Sequence, residues 1–298
     1  MDRFQELNIF IAVAEATGFA GAASRLGLTP PTVTRAVASL ETRLGVKLFT
    51  RTTRYVRLTE AGEQYLLHAR RITQALAEAD NSAIGVHSQP TGNLTITAPV
   101  LFGKQYVTPV VLDYLHQYPD TEVSLVLLDR VTNLVEEGFD IAVRIGDLAD
   151  SSMRGIAVGE VRRIVVASPR YLQDHGTPKT PGELKQHTTI NVSSTSGATS
   201  WRFKHRSKNQ SVRLNVRLNT SSNDSAISAA TAGFGLTQVL SYQVADALRS
   251  GELVTVLEKF ELAPLPVSIV HREARAPSAK IRCFVELAVE QLRQRLTA

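Results

Sequence analysis

The chain has 298 residues, 33 Lys and Arg against 28 Asp and Glu for a net charge of +5, and a single cysteine, Cys283. That length exceeds one ordinary core and fits two or three domains with room for a cleft, while the mild positive balance permits an anionic partner such as nucleic acid. One cysteine excludes an intrachain disulfide and speaks against a thiolate zinc site, so no metal or cofactor is expected. With no membrane-length apolar run and no signal pattern in Met1 to Glu6, the expectation is a cytosolic protein that does not engage a membrane.

From Phe4 to Ala16, the residues Phe4, Leu7, Phe10, Ile11 and Ala14 recur at helical spacing and predict an amphipathic helix ending near Thr17-Gly18. A short Ala-rich helix from Ala20 to Leu26 follows, closed by Gly27. Thr29 is placed to cap the next helix, with Pro30 and Pro31 in its first turn, where an N–H group would have no intrahelical partner. Val33, Val37, Leu40 and Leu44 form its buried face. Pro31, Arg35, Ala38 and Thr42 therefore point outward, with Thr32 and Thr34 on the flanks, and Gly45 ends the helix. Two small helices joined by a tight glycine turn describe a helix-turn-helix whose second member can enter a major groove.

Beyond Gly45 the alternation of Val46 and Leu48, then Val56 and Leu58, predicts a hairpin with Thr50 to Arg54 as a basic wing tip. Between Gly18 and Leu58 lie seven basic residues and one acid, Glu41, a local excess of +6 that suits phosphate contacts. The other reading of that charge is a solvated basic face on a small helical domain. Thr59-Glu60-Ala61-Gly62-Glu63 starts a long helix that runs to about Ala83. Along it Tyr65, Ala69, Ile72, Leu76, Ala79 and Ala83 follow a heptad, which predicts a dimer seam; the alternative is a helix packed only on its own domain.

A loop at His87 to Gly92 precedes alternating segments: Leu94–Ala98, Val107–Tyr118, Val123–Leu128, Thr132–Glu137, Ile141–Ile145 and Ile164–Ala167. A second set comprises Val212–Leu218, Ala226–Ala232, Leu236–Leu240, Tyr242–Leu248 and Val267–Val270, with a last helix from Ser278 to Arg295. The order argues α/β with a largely parallel sheet.

The run Phe10 to Glu15, Gly18 to Ala23, Leu26, Val33-Thr34-Arg35, Leu40-Glu41, Leu44 to Phe49, Arg51-Thr52 and Leu58 to Gly62 closely resembles the LysR-type transcriptional regulators. Arg51-Thr52-Thr53-Arg54 and Asp140-Ile141-Ala142-Val143-Arg144-Ile145-Gly146 resemble the CrgA-like branch. The resemblance implies an α/β protein overall: a winged helix-turn-helix (1–60), a linker helix for dimerisation (61–90), and a two-lobed, type 2 periplasmic-binding-protein-like effector domain (91–298). Lobe I would hold 91–163 and 266–298, and lobe II 164–265. It further implies DNA contact by Ala20, Thr29, Pro30, Pro31, Thr32, Thr34, Arg35, Arg51, Thr52 and Arg54. Pro30 and Pro31 stand where the family often carries polar side chains, so the half-site sequence is open. The implied partners are double-stranded DNA, a further copy or copies of the chain in a dimer or tetramer, the transcription machinery, and a small-molecule effector such as an organic anion.

Open α/β sheets bind ligands at the carboxyl ends of strands and at helix starts. On that rule the candidates lining an inter-lobe cleft are Pro99, Val100, Phe102, Ser193, Trp201, Thr220 and Ser222, with Arg144 and Gln238 as polar contacts. Loop or capping chemistry is an alternative for each, Trp201 can be a packing residue, and Arg144 a structural ion-pair partner. The rival functions are an α/β enzyme or a solute-binding protein without DNA binding. No Gly-x-Ser-x-Gly, phosphate loop or His-Glu-x-x-His occurs, the dinucleotide pattern fails at Gln238, and the seven histidines are scattered. No catalytic residue is expected.

Overall fold

The computed structural model describes residues 2–16, 18–51, 55–84, 89–147, 155–193, 200–205, 208–271 and 277–297, which divide into two units, 1–89 and 90–298. In the first unit three helices, α1 (Arg3–Glu15), α2 (Phe19–Leu26) and α3 (Pro30–Leu44), precede strands β1 (Phe49–Arg51) and β2 (Val56–Leu58) and the long helix α4 (Glu60–Ile84). None of the first three helices can bury its apolar stripe alone. Phe10, Val13, Val33, Val37 and Leu40 meet at zero exposure. Each such side chain contributes roughly 1.5–3 kcal/mol by leaving water. Ala22 and Ala23, both buried, are small enough to bring α2 against α3. Gly27 turns the chain between them at φ +64°, where a side chain would be strained, and Leu28 N–H donates to Ala23 O at 2.9 Å.

β1 and β2 pair antiparallel with Phe49 opposite Leu58 and Arg51 opposite Val56, and the Phe49 ring sits 5.3 Å from that of Phe10. Val46 to Leu48 stay outside the strand pair, so the hairpin is shorter than the alternation suggests. The Thr59 hydroxyl caps α4 by accepting from Gly62 N–H at 3.0 Å, and donates to Lys47 O at 2.7 Å. A Cβ at Gly62 would stand 2.1 Å from Leu48 O, so the helix start lies flush against the wing.

The heptad along α4 needs a correction at its first two positions. Tyr65 turns its ring edge to Phe10 at 5.4 Å and Ala69 is fully buried in the unit's own core, because α1 packs along that half of the helix. Ile72 and Leu76 remain 52% and 44% exposed; the side chains of Ala79 and Ala83 lie outside the described ones.

The second unit opens with β3 (Gly92–Ala98). A helix then runs from α5 (Val100–Phe102) through a π turn (Gly103–Val107) into α6 (Thr108–Gln117), followed by β4 (Thr121–Leu127), α7 (Leu134–Glu137), β5 (Ile141–Ile145) and β6 (Gly155–Val161). The chain continues with β7 (Arg163–Ala167), α8 (Pro169–His175), β8 (Thr189–Val192), the hairpin β9 (Ser200–His205) and β10 (Lys208–Arg213), and β11 (Val216–Thr220). It finishes with α9 (Asn223–Thr231), β12 (Leu236–Leu240), α10 (Ala245–Arg249), β13 (Val254–Val256), β14 (Leu265–His271) and α11 (Ala279–Thr297). The single strand expected over Val212 to Leu218 is thus two, divided at Leu214 and Asn215.

Two five-stranded sheets result, in orders β4-β3-β5-β14-β6 and β11-β8-β12-β7-β13. In each, the first three strands are parallel, the fourth runs against them and the fifth, antiparallel to the fourth, runs with the first three, so four of five strands share one direction, as a largely parallel sheet requires, and one is reversed. The cause is the path of the chain. β6 and β7 are consecutive strands of different sheets, as are β13 and β14, and a strand arriving from the other lobe can enter antiparallel without a crossover helix. Two lobes joined by extended crossings leave a cleft between them.

Candidate nucleic-acid interface and ligand cleft

On the first unit, Pro30 and Pro31 occupy the first turn of α3, and Ala20, Thr29, Pro30, Pro31, Thr34 and Arg35 are exposed, with Thr32 half-buried. Thr29 is the N-cap in backbone terms, its carbonyl accepting from Thr32 and Val33 N–H at 3.0 and 3.2 Å. Its side chain does not cap, which corrects that expectation: the hydroxyl lies 2.8 Å from Thr32 Oγ1 instead. Arg35 has no hydrogen-bond or ion-pair partner among the described residues. The Arg51 backbone is in β1 and its side chain lies outside the described ones, as do Thr52 and Arg54 entirely.

The sequence count of seven bases against one acid is redistributed in space. Glu41 is 2% exposed and accepts from Lys47 Nζ at 2.8 Å, Leu48 N–H at 2.9 Å and Phe49 N–H at 3.2 Å. Burial pushes its carboxyl up, but the bonds from Lys47, Leu48 and Phe49 outweigh this and hold it below the usual carboxylate range. The acid is therefore withdrawn from the surface and ties the root of the wing to α3. Glu6, also buried, ties α1 to α3, accepting from Ser39 Oγ at 2.6 Å and Arg43 Nη2 at 3.0 Å. Its carboxyl too is lowered, the Ser39 and Arg43 bonds outweighing burial. Arg25 is held by Glu15 at 2.7 Å, and Arg57 lies 4.9 Å over the Tyr55 ring. Arg25, Arg43 and Lys47 are thus internally paired, which leaves Arg35 as the uncommitted guanidinium on α3.

In the second unit the cleft between the two sheets measures about 440 Å³. Pro99, Arg144, Trp201 and Gln238 line it. Phe102 does not, a correction: it is fully buried in the core under β3, its ring stacked on Tyr106 at 4.8 Å. Among the described residues Val100, Ser193, Thr220 and Ser222 are not part of the lining either. They serve the backbone instead. Ser193 N–H donates to Thr220 O at 2.9 Å, Thr220 Oγ1 accepts from Ser222 N–H at 3.1 Å, and the Ser222 hydroxyl caps α9 through Ser225 N–H at 3.3 Å.

Val100 N–H, the helix start expected to attract an anion, already donates to Asp129 Oδ1 at 2.9 Å. The other oxygen of Asp129 accepts from Asn223 Nδ2 at 3.3 Å, a bond that spans from one lobe to the other. Arg144 donates through Nη2 to the carbonyl and, at 3.0 Å, the hydroxyl of Thr132, and its partial burial lowers its proton affinity. Asp129, Arg163 and Asn191 belong to the lining but escaped the sequence reading. Asp129 lies two residues beyond the end of β4, where the strand-end rule points. Nothing local marks Arg163 or Asn191. Among the described residues no group of three or more His, Cys, Asp or Glu side chains can hold a metal ion, and no helix is long and apolar enough to cross a membrane.

Residues 4–63 match the bacterial regulatory helix-turn-helix protein, lysR family, and residues 87–293 the LysR substrate binding domain. The regulator CrgA of Neisseria meningitidis is 31% identical over 97% of this chain and 96% of its own. LtrA of Klebsiella pneumoniae, a probable transcriptional regulator, is 31% identical over 86% of this chain and 83% of its own. The solved structure of CrgA superposes with a TM-score of 0.62 at 31% identity, covering 97% of this chain and 98% of that one. Full-length AphB, a virulence activator of Vibrio cholerae, gives 0.63 at 25% identity, covering 97% and 99%. With both halves matched in order, the chain belongs to the LysR family, whose members are DNA-binding transcription regulators and not enzymes.

Proposed function

We propose that α3 enters the major groove of promoter DNA, with Thr32, Thr34 and Arg35 toward the bases and Arg51 and Arg54 toward phosphates. Ala20, Thr29, Pro30, Pro31 and Thr52 border the same contact. The observation that carries the reading is Arg35, exposed and unpaired among the described residues on a helix whose one acid, Glu41, is buried. A guanidinium with all its donors uncommitted suits bidentate contact with a base or a phosphate. The protein works in the cytoplasm as a dimer or tetramer, joined in part through the exposed Ile72 and Leu76 of α4, with the winged helix (1–60), linker (61–90) and effector domain (91–298) as separate working parts. A small molecule in the inter-lobe cleft changes the angle between lobes, and so the spacing of the wings presented to DNA and to the transcription machinery; only a ligand that binds the two arrangements unequally does this.

The test is a gel-shift titration on the intergenic DNA upstream of the chain's own gene at several salt concentrations. A shift that weakens steeply with salt is expected, and Arg35→Ala weakens it by about tenfold or more. A salt-insensitive shift, or an Arg35→Ala titration that overlays the wild type, defeats the assignment.

A further inference from the structure

Among the described residues three arginines reach the cleft, and two are spoken for. Arg130 is clamped by both oxygens of Glu137, at 2.9 and 2.6 Å, and Arg144 is bonded to Thr132. The side chain of Arg163, at the start of β7, has no hydrogen-bond or ion-pair partner among the described residues although it borders the cavity. It pairs in register with Leu240, and Val165 with Gln238, so Arg163 and Gln238 are diagonal neighbours on one face of the sheet. Gln238 and the indole of Trp201 also lie on this wall without a partner in the described structure.

Arg163 is solvent-exposed at the cleft wall, and Arg202, also exposed, adds a like charge nearby and borders the same small adjoining cavity. Glu261 borders it as well; its Oε2 accepts from Arg162 at 3.3 Å and its Oε1 is buried without a partner, and among the described residues no ion pair joins it to Arg163. At the opposite wall the helix start at Val100 carries the protein's own carboxylate, Asp129, where a ligand anion would otherwise sit.

We propose that the cleft takes a small organic acid whose carboxylate is held by Arg163, with Gln238 and the Trp201 indole N–H as further donors, and not by the helix start at Val100. This rests on the reading that the inter-lobe cleft is the effector site. Arg163 offers the planar fork that matches a carboxylate, and the ligand's charge relieves its repulsion with Arg202.

Trp201 is the only tryptophan in the chain, so its emission reports occupancy of the cleft. The full chain is titrated with matched acid and amide probes, lactate with lactamide and benzoate with benzamide, followed by fluorescence and by calorimetry. At least one acid is expected to bind with a change in Trp201 emission while its amide does not. Arg163→Gln weakens that acid by roughly 10- to 100-fold, and Arg163→Lys, which keeps the charge but not the fork, retains acid over amide preference at reduced affinity. If acid and amide move the emission equally, or both variants bind the acid as the wild type does, the charge assignment is overturned while the cleft reading stands. Heat of binding with unmoved emission overturns the cleft reading as well, and so does the absence of any response at millimolar acid.

Discussion

Replacing Glu41 with alanine tests how the wing is anchored. The carboxylate is 2% exposed and receives donors that include Lys47, Leu48 and Phe49, of which Lys47 is 77% exposed and returns to water at little cost. The other two are the amides of Leu48 and Phe49, whose residues are 1% and 4% exposed and which have no other acceptor in the described structure. A buried amide left without an acceptor costs about 1–3 kcal/mol, so the pair costs about 2–6 kcal/mol. Water entering past Lys47 brings the sum toward about 3–4 kcal/mol. At about 1.4 kcal/mol per decade, local opening around residues 47–58 rises roughly 100- to 1,000-fold. Hydrogen exchange on the full chain reads this directly as faster exchange at Leu48 and Phe49, with residues 90–298 unchanged. Glu41→Gln, which keeps one oxygen facing both amides, loses only about 1–2 kcal/mol. Unaltered protection of the two amides in Glu41→Ala refutes the reasoning.

Other perturbations address separate contacts. Gly62→Ala puts a methyl 2.1 Å from Leu48 O and 3.0 Å from Leu58 Cδ2, and the helix must move off the wing; thermal unfolding of the first unit drops by an amount matching about 1–3 kcal/mol. Phe102→Ala removes a fully buried ring packed between Tyr106 and Tyr242, and lowers the urea midpoint of residues 90–298 by the equivalent of about 3–5 kcal/mol. Glu6 and Glu41 both have folded-state proton affinities below their unfolded values, so their stabilisation is complete above the unfolded carboxylate range of about 4.3 and is lost as pH falls through the lower folded values. The melting temperature of the first unit is therefore flat from about pH 7 to 5 and falls below about pH 4, less steeply in Glu41→Gln.

The winged unit was legible because its determinants are local. Gly27 and Gly45 end helices, Pro30 and Pro31 start one, and the apolar spacing from Val33 to Leu40 selects a face, all within a few turns of chain. The α/β alternation was legible for the same reason, from Leu94 onward. The cleft was less so. Phe102 lies just beyond a strand and Thr220 ends one, as ligand contacts do, yet one fills a core and the other bonds a turn, because position at a strand end does not say which way a side chain faces.

By itself, then, the sequence determined most of the elements, where the short helices of the first unit begin and end, and the family. Tertiary structure alone decided which charges are free. Glu6 meets Arg43 from 37 positions away and Asp129 meets Asn223 from 94, while Arg163 meets no partner among the described residues. Whether a guanidinium is neutralised or available depends on what stands within about 4 Å of it, and periodicity along a chain carries no record of that distance.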